Sequence, residues 1–288
     1  MKTFDELLNH LIQEALAEDI GDGDHSTLSC IPEGKSGKAV LKIKQDGVLA
    51  GVSAAEKIFH FVEPAAVFVA EKNDGDLMAA GEKAFYVEAG IHTILKCERL
   101  VLNTMQRMSG IATLTRQYTQ KLQGYHTKIL DTRKTTPNFR LLEKEAVKIG
   151  GGFNHRFALY DMIMLKDNHI DYCGSIEEAI NRAWNYVETK KPGLKIEVET
   201  RSLQDVEKVI KMGQGKVFRI MLDNFTPAQI SEAMILINKR FETEASGGIN
   251  LDNIEEYAAT GVDFISVGAL IHQAKSLDLS LKAEIDND

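Results

Sequence analysis

Hydrophobic positions in the first third of the chain follow helical spacing first and strand spacing afterwards. Apolar residues between Phe4 and Leu16 recur at helical intervals and predict a short amphipathic helix. From Lys38, the segment AVLKIKQ alternates apolar side chains with lysines and predicts a strand, and Asp46-Gly47 is typical of a hairpin turn. A helix at 54–61 and strands at 67–70 and 84–87 are also expected, which together indicate a small α+β layer.

A long helical pattern follows this layer. It begins near Thr93 and runs through LKCERLVLNTMQRMSG. We expect Ser109-Gly110 to interrupt it before a second helix at 112–122, because glycine weakens a helix interior. A domain boundary is placed at this interruption.

Beyond Lys128 short apolar strands alternate with helical segments. The strands are KILD, MIML, KIEVE, FRIMLD, TEAS and DFISVG, and helices are expected at 142–149, 176–188, 203–212, 227–241 and 251–260. This alternation is typical of a parallel α/β barrel. A doubly wound open sheet is the competing topology.

Composition narrows the classes of function. The 288 residues carry a formal net charge of -8, which disfavours nucleic-acid binding over the surface as a whole. The first residues lack a basic stretch followed by an apolar one, and no apolar run reaches the roughly 18 residues of a membrane span. Cys30, Cys97 and Cys173 match no metal spacing and are expected to be reduced. We therefore expect a cytoplasmic protein without a membrane or nucleic-acid partner.

Polar residues stand at the ends of four predicted strands. KILD runs into Asp131, Arg133 and Lys134, MIML runs into Lys166, KIEVE ends at Glu199, and FRIMLD ends at Asp223. Catalytic groups of α/β barrels gather at the carboxyl ends of the strands. One such residue is more often a solvated loop charge, but repetition on four strands favours a functional rim.

The stretch from Lys128 to Lys166 reverses the sign of the chain's charge. It holds eight basic and four acidic residues. Positive charge concentrated on barrel loops suits a small polyanion, since arginine forks bind carboxylates and lysines bind phosphates. Lys144 and Lys148 are interpreted instead as part of a solvated helix face, because they are spaced i,i+4.

Small residues follow several of the predicted strands and helices. Gly150-Gly151-Gly152 would allow His155 and Arg156 to approach a ligand, although three glycines alone are usually a helix stop. Ser246-Gly247-Gly248 follows one strand and Gly268-Ala269 the next, as in the phosphate cradles of barrels. A pair of tight turns is the alternative interpretation.

Two acidic strand ends suit ribose hydroxyls or Mg²⁺. Glu199 and Asp223 offer the carboxylate oxygens that hard cations prefer, and a structural ion pair with a nearby lysine is the alternative. Glu197 points the same way as Glu199 by the two-residue strand period and offers the same chemistry. GDGDH, near residue 21, lacks the flanking strand and helix of a phosphate loop and is predicted to be a turn.

Several long motifs resemble those of the quinolinate phosphoribosyltransferase family, also called nicotinate-nucleotide pyrophosphorylase (carboxylating). They are EDIGDGDHST, LNTMQRMSGIAT, DTRKTTPNFR, GGGFNHRFALYDMIMLKDNHI, EVET, IMLDN, EASGGI and GVDFISVGALIH. The resemblance extends over nearly the whole chain, and the motifs together are specific, whereas any one of them alone is weak. The resemblance implies an α/β fold with an N-terminal α+β sandwich domain at 1–111 and a barrel of the type II phosphoribosyltransferase class at 112–272. The tail at 273–288 is expected to pack on the first domain.

The resemblance also implies an activity. Members join quinolinate to phosphoribosyl pyrophosphate with Mg²⁺ and release pyrophosphate and carbon dioxide, which yields the nicotinate mononucleotide precursor of NAD. The implied assembly is a homodimer with shared active sites, alone or within a higher oligomer.

The matched positions imply roles for individual residues. The quinolinate pocket corresponds to Arg107, contributed by the neighbouring subunit, with Arg133, His155, Arg156 and Lys166. The side facing phosphoribosyl pyrophosphate corresponds to Lys134, Glu199, Asp223, Ser246, Gly247, Gly248, Gly268, Ala269 and His272. The implied catalytic residues are Lys134, Lys166, Glu199 and Asp223, of which Glu199 and Asp223 are the candidate Mg²⁺ ligands, directly or through water.

One departure from the family pattern and two alternatives accompany the resemblance. Ala158 stands where similar proteins have glycine, and a positive φ there would strain alanine by about 1 kcal/mol.

A paralogous transferase for another pyridine, or a molybdenum-linked accessory protein of the same fold, is the nearest alternative, although five pocket cations favour a dicarboxylate. A non-catalytic ligand-binding protein is a remoter alternative, because every matched rim position is filled.

Overall fold

The computed structural model describes residues 2–284, which divide into two compact units. The first unit runs through Arg116 and also includes Thr135–Gly151 and the chain from Leu270 onward. The second comprises Gln117–Lys134 and Gly152–Ala269. The domain boundaries drawn from the sequence, after residues 111 and 272, stay a prediction.

The elements alternate between helix and strand along most of the chain. The helices are α1 (Phe4–Ile20), α2 (His25–Cys30), α3 (Val52–Val62), α4 (Ile91–Lys121), α5 (Arg140–Ile149), α6 (Asp167–Cys173), α7 (Ile176–Lys190), α8 (Leu203–Gly213), α9 (Pro227–Ile237), α10 (Ile254–Ala258) and α11 (Ala269–His272). The strands are β1 (Ser36–Ile43), β2 (Gly47–Val48), β3 (Val67–Ala70), β4 (Leu77–Met78), β5 (Lys83–Gly90), β6 (Lys128–Leu130), β7 (Ile163–Leu165), β8 (Ile196–Thr200), β9 (Arg219–Asp223), β10 (Glu242–Ser246), β11 (Phe264–Ser266) and β12 (Leu279–Glu284).

The first unit is built on an antiparallel sheet of four strands. Their order is β12-β1-β5-β3, so the last strand of the chain pairs with the first. The expected face of Ala39, Leu41 and Ile43 is buried and Lys42 is exposed, but Val40, on the opposite face, is buried as well. Phe85, opposite Leu41 on β5, contacts Phe68, with ring centroids 4.4 Å apart. Apolar burial of this kind is the main force that holds such a sheet.

Asp46-Gly47 does not form the expected hairpin turn. Gly47 and Val48 pair with β4 rather than returning along β1. The Asp46 side chain accepts a hydrogen bond from the Ala80 N–H at 2.8 Å, and the Val48 N–H donates to Thr113 Oγ1 at 2.8 Å. These contacts draw the chain away from β1, so the prediction of a hairpin is wrong.

The expected interruption at Ser109-Gly110 is also wrong, because α4 is one helix of 31 residues. Gly110 is required for close packing: a Cβ there would collide with the carbonyl oxygen of Lys275. Ser109 Oγ accepts a hydrogen bond from the Ala50 N–H at 3.0 Å. Both small residues therefore let other backbone segments approach the helix.

The second unit contains an all-parallel sheet of six strands. Their order is β6-β11-β10-β9-β8-β7. From β7 to β11 each strand pairs with the next one in the chain, and β11 then pairs with β6, the first strand of the set. A doubly wound sheet would have a switch point where the order reverses. The order therefore rules out the competing topology and fits a barrel.

The curvature of this sheet confirms the barrel. Phe153 bridges to Leu130 of β6. Counted through the sheet, Phe153 is one step from β6 and β6 is four steps from β8, which makes five steps in all. In a flat sheet those steps would span about 24 Å, at roughly 4.8 Å each. His155, two residues after Phe153, nevertheless places its Nε2 atom 3.0 Å from Glu197 Oε2 on β8. The sheet is thus curled on itself.

Three further expectations can be compared with the structure. GDGDH forms a turn as predicted, and its Asp24 caps α2, which the sequence did not predict. Lys144, expected on a solvated helix face, is buried because α5 buries more than one face, whereas Lys148 is half exposed and pairs with Glu145. Ala158 is not among the non-glycine residues with positive φ in the described part of the chain, so the expected strain does not arise.

No helix between residues 2 and 284 has both the length and the apolar character needed to cross a membrane. The cytoplasmic location stays a prediction.

Candidate active site

The inner face of the barrel carries charged side chains at successive heights. The two-residue period of a strand places Glu197 and Glu199 of β8 on one face, and the parallel register sets β9 and β10 beside them. On those strands the residues of the same face are Arg219, Met221 and Asp223, and Glu242, Glu244 and Ser246. The interior of such barrels is usually filled by branched aliphatic residues. Here charge extends from the amino end of the strands to the carboxyl end.

Asp223 and Ser246 meet at the carboxyl ends of β9 and β10. Ser246 Oγ donates to Asp223 Oδ1 at 2.5 Å, and Asn224 Nδ2 donates to Asp223 Oδ2 at 2.7 Å. The Asn224 N–H donates to the Ser246 carbonyl at 2.8 Å. The expected grouping of these strand ends is therefore present.

Gly247 is required by its surroundings. Its φ of 91° lies in the left-handed region, and a Cβ would collide with the Asn224 side chain and lie 2.9 Å from the Asn224 backbone nitrogen. Gly248 also has a positive φ, of 67°, but faces open space. Residues without side chains thus leave the backbone accessible after β10.

Glu199 forms the ion pair that was considered as an alternative to ligand binding. Lys166 Nζ lies 3.1 Å from Glu199 Oε2, and the Asp167 N–H donates to Glu199 Oε1 at 3.2 Å. Lys166 is about half exposed at the start of α6, while the Glu199 side chain is almost fully buried. The ammonium group therefore stands at the rim with its counter-ion below it.

Arg133 and Arg156 bring two positive charges together. Burial, and then the nearby charge of Arg133, lower the pKa of Arg156. Arg156 donates to the Met162 carbonyl at 3.1 Å. Arg133 Nε is buried and has no hydrogen-bond partner within residues 2–284. A buried donor without an acceptor costs about 1–3 kcal/mol, so this arrangement favours an anion at the two guanidinium groups.

His155 is buried, and a polar group lies close to each of its nitrogen atoms. Its N–H donates to Asp131 Oδ1 at 2.8 Å, and its Nδ1 accepts from the Arg156 N–H at 2.7 Å. Its Nε2 lies 3.0 Å from Glu197 Oε2 and 3.3 Å from Glu244 Oε2. The ring therefore faces the inside of the protein rather than an open pocket.

Burial and the neighbouring carboxylates have opposite effects on the pKa of His155. Burial lowers the pKa of His155, but the carboxylates of Glu197 and Glu244 outweigh it and raise the pKa to about 9. Burial and the charge of Glu244 raise the pKa of Glu197 to about 7. A charged His155 ring would carry a second N–H on Nδ1, facing the Arg156 N–H. The raised pKa alone would leave the ring charged at neutral pH. Two N–H donors facing each other at 2.7 Å repel, however, so the backbone contact favours the neutral ring with its proton on Nε2.

Arg219 is the cation of this buried group. Its Nη1 lies 2.9 Å from Glu244 Oε2 and 3.9 Å from Glu197 Oε2, and its Nη2 lies 2.9 Å from Glu242 Oε2. Neither Arg219 nor Glu244 was predicted from the sequence. Arg219 lies four residues before Asp223 and Glu244 lies two residues after Glu242, and this even spacing was the available signal, since every second strand residue shares a face.

The other expected site residues take several positions. In the second unit Lys134 is exposed, and Gly268 and Ala269 are partly exposed at the start of α11. In the first unit His272 is exposed at the end of α11. Glu197, considered as an alternative to Glu199, is fully buried beside His155 and does not reach the rim.

Arg107 is bound within its own chain in the first unit. Its Nε donates to Glu143 Oε1 at 2.9 Å, and its Nη1 and Nη2 donate to the carbonyls of Ala274 and Ile271, both at 2.7 Å. Glu143 is fully buried and also accepts from the Thr136 N–H at 2.7 Å. The side chain thus ties three segments of this unit together. Its expected role towards a neighbouring subunit stays a prediction.

Comparisons with known proteins agree with this architecture. Two family models match the chain: the N-terminal domain of quinolinate phosphoribosyl transferase over residues 24–109, and its C-terminal domain over residues 111–282. The chain is 43% identical to quinolinate phosphoribosyltransferase (decarboxylating) 1b of Nicotiana tabacum, over 97% of this chain and 83% of that protein. It is 40% identical to the probable nicotinate-nucleotide pyrophosphorylase (carboxylating) of Bacillus subtilis, over 98% and 94% of the two chains. The crystal structure of NadC from Streptococcus pyogenes superposes with a TM-score of 0.89 at 38% identity, covering 99% of this chain and 100% of that one. The chain belongs to the quinolinate phosphoribosyltransferase family.

Proposed function

We propose that this protein joins quinolinate to phosphoribosyl pyrophosphate and releases carbon dioxide, giving nicotinate mononucleotide and pyrophosphate. One observation carries the proposal: Arg133 and Arg156 lie close together, and Arg133 Nε is buried without an acceptor among the described residues. Quinolinate supplies two carboxylates, and carboxylates are the planar anions that guanidinium groups bind best. Lys166 adds a third positive charge at the rim of the same unit.

The chemistry needs positioning and fixed charge rather than a side-chain nucleophile. The pyridine nitrogen forms a bond to the anomeric carbon of the sugar while the bond from that carbon to pyrophosphate breaks. The ring nitrogen is then positively charged, so the adjacent carboxylate leaves as carbon dioxide and a proton replaces it on the ring. Cations that are already in place stabilise the developing charges without reorganisation.

We assign the sugar phosphate to the carboxyl ends of β9 and β10. Asp223 presents a carboxylate there beside Ser246, and Gly247 leaves the backbone open to a phosphate. Glu199 and Asp223 offer the oxygen ligands that Mg²⁺ prefers, and neither belongs to a cluster of three acidic, histidine or cysteine ligands within the described residues. Mg²⁺, when bound, neutralises charge on the leaving pyrophosphate. Water and substrate oxygens would complete its coordination.

The substrate is identified by comparing the conversion of two pyridines in separate incubations. Purified protein is incubated with phosphoribosyl pyrophosphate, Mg²⁺ and either quinolinate labelled in its adjacent carboxylate or nicotinate. We expect labelled carbon dioxide and the mononucleotide to appear in equal amounts from quinolinate. Consumption of nicotinate but not quinolinate would instead identify the paralogous transferase, and turnover of neither would favour a binding protein.

We also infer a homodimer whose active sites are shared between subunits. Arg107, the expected contribution from the partner, has an acceptor for each guanidinium nitrogen within its own chain. Arg99 lies about two turns before Arg107 on α4. It is exposed, and its side chain makes no hydrogen bond or ion pair within residues 2–284. Arg99 is therefore the better candidate for reaching a neighbouring subunit.

Subunit mixing distinguishes the two arginines. Arg99→Ala protein mixed with Lys166→Ala protein should regain part of the wild-type activity, because one site of each hybrid dimer would hold both native residues. Arg107→Ala mixed with Lys166→Ala should show no such rescue. A lack of rescue in both mixtures, after subunit exchange has been demonstrated, would argue against shared sites.

A further inference from the structure

A buried group of charged residues lies inside the barrel, where the reaction proposed above makes no use of it. The group consists of His155, Glu197, Glu244 and Arg219, and we call it the barrel-core cluster. Glu197 and Glu244 are fully buried, and His155 and Arg219 nearly so. Burying charge is costly unless the groups are paired, and apolar residues of similar volume often serve stability equally well. The cluster therefore needs an explanation other than stability.

His155 connects this cluster to Arg133 and Arg156, the arginines of the proposed quinolinate pocket. Its ring has one nitrogen on each side: Nε2 lies within 3.3 Å of both carboxylates, while Nδ1 accepts the Arg156 N–H at 2.7 Å. The His155 N–H donates to Asp131, which stands two residues before Arg133. One side chain thus spans from the charged interior to both segments that carry the pocket arginines.

The contact with Arg156 determines where the His155 proton lies. An imidazole nitrogen that accepts a hydrogen bond carries a lone pair, so in the neutral ring the proton must be on the other nitrogen. Nδ1 is the acceptor here, which places the proton on Nε2, between Glu197 and Glu244. The two carboxylates are the groups that can hold a proton in that position.

The same assignment argues against a metal ion at this place. His155, Glu197 and Glu244 place potential ligand atoms within 4.8 Å of one another. A histidine that binds metal through Nε2 usually donates its Nδ1–H to a carbonyl or carboxylate. Here Nδ1 faces a donor instead, and Arg219 already supplies positive charge 2.9 Å from Glu244.

We propose that Glu197 and Glu244 are positioning residues, which hold His155 in its Nε2–H form so that Nδ1 fixes the Arg156 backbone beside Arg133. Arg219 balances the charge of the two carboxylates. The link from this arrangement to substrate binding rests on the proposed function, because Arg156 is assigned there to quinolinate. The tautomer itself does not rest on it.

The tautomer is measured directly, without any substrate. Nitrogen-15 NMR spectra of protein labelled in histidine distinguish the Nε2–H ring, the Nδ1–H ring and the charged ring. Comparison with His155→Asn protein identifies the His155 signals. We expect the Nε2–H form at neutral pH. A spectrum of the Nδ1–H form or of the charged ring would overturn the proposal.

Paired variants then test the effect on substrate binding. In Glu197→Gln/Glu244→Gln protein the amide oxygens still accept the Nε2 proton, so we expect the wild-type tautomer and a KM for quinolinate close to that of wild type. In Glu197→Leu/Glu244→Leu protein no acceptor remains, and we expect the Nδ1–H form with a KM for quinolinate raised roughly 10- to 100-fold. The KM for phosphoribosyl pyrophosphate should change little, which a general loss of structure would not produce.

Glu242→Gln is the matched control. Glu242 pairs with Arg219 at 2.9 Å but does not contact His155, and it is partly exposed. Its substitution should leave both KM values unchanged. A double leucine variant that folds with an unchanged KM for quinolinate would overturn the proposal, as would a double glutamine variant that loses as much as the leucine variant.

Failure of the proposed function and failure of the positioning role of Glu197 and Glu244 would give different results. If wild-type protein converts no quinolinate, the proposed function fails while the NMR spectrum still decides the tautomer. If the double leucine variant does not fold, the wild-type spectrum and the double glutamine variant remain decisive.

Discussion

The antiparallel sheet of the first unit and the inner face of the barrel in the second unit carry different kinds of buried side chain. In the first unit the sheet packs through aromatic rings, with Phe59 and Phe85 fully buried and Phe68 against them. In the second unit the inner face of the barrel holds buried glutamates and an arginine. Apolar burial tolerates small shifts of its groups, whereas a buried ion requires its partners at fixed distances. The packing of the sheet thus provides stability, whereas the role that we propose for the charged interior of the barrel is orientation.

The largest effect is expected from the aromatic core. Phe85→Ala should lower the free energy of unfolding by about 3–5 kcal/mol, because a fully buried ring leaves a cavity. The kcat/KM of the protein that remains folded should not change. Urea unfolding and steady-state kinetics measure the two quantities. Val67→Ala, on the exposed side of the same sheet, is the control and should shift stability by less than about 0.5 kcal/mol. An equal loss of kcat/KM in Phe85→Ala would contradict the separation.

The second effect lies at the rim of the barrel and should have the opposite character. Arg133→Ala should raise the KM for quinolinate and lower kcat, with a loss of about 2–4 kcal/mol of transition-state stabilisation, because a carboxylate clamp is removed. Thermal stability should stay near that of wild type, since the buried Nε donor without an acceptor disappears as well. Arg201→Ala is a suitable control, because Arg201 is exposed and pairs with Asp171 at the surface. Unchanged kinetics of Arg133→Ala would reject the role.

A smaller effect is expected from the glycines that follow β10. Gly247→Ala must strain a left-handed backbone and displace Asn224, whereas Gly248→Ala meets open space and costs only the strain, about 1 kcal/mol. Gly247→Ala should therefore raise the KM for phosphoribosyl pyrophosphate much more than Gly248→Ala does. Kinetics of both variants, with melting temperatures alongside, measure the difference. Equal behaviour of the pair would mean that the close approach to Asn224 is unimportant.

The smallest perturbation uses the cysteines as probes of the first unit. Burial raises the pKa of Cys97 to about 12, so at pH 8 its thiol stays protonated and unreactive. Cys30 is exposed and should react with a thiol reagent under the same conditions. Absorbance after addition of a chromogenic disulfide should show slow or no reaction at Cys97 until the protein is unfolded. Rapid modification of Cys97 in Cys30→Ser/Cys173→Ser protein would show that this core opens readily.

Periodicity of apolar residues was sufficient to predict most elements of the fold. The strands from KILD to DFISVG lie where the short apolar segments between helical stretches placed them. The failures occurred where a residue type has two uses. Gly110 was interpreted as a helix break, and only the backbone of Lys275 against it reveals a packing role. The helix expected at 227–241 ends at Ile237, since Asn238 and Lys239 take positive φ values that the sequence does not indicate.

The positions of the candidate site residues were only partly predictable. The strand-end rule placed Lys166, Glu199 and Asp223 at the carboxyl ends of the strands, where the structure has them, because parallel strands end at a common edge. It could not identify Arg219 or Glu244, which lie far apart in sequence and meet only when the sheet closes. The family resemblance likewise could not show that Arg107 is bound within its own unit. Pairing across distant strands is a property of the tertiary fold.

The pairing of β12 with β1 has a consequence for the order of events during synthesis. The antiparallel sheet of the first unit lacks one strand until residues 279–284 have left the ribosome, although β1 emerges among the first forty or so residues. Until then β1 has a free edge that can pair with other chains. All six strands of the parallel sheet are available before β12 is made. The half of the protein that is translated first is therefore the last to be complete, and nascent chains stalled before Leu279 should be prone to aggregate.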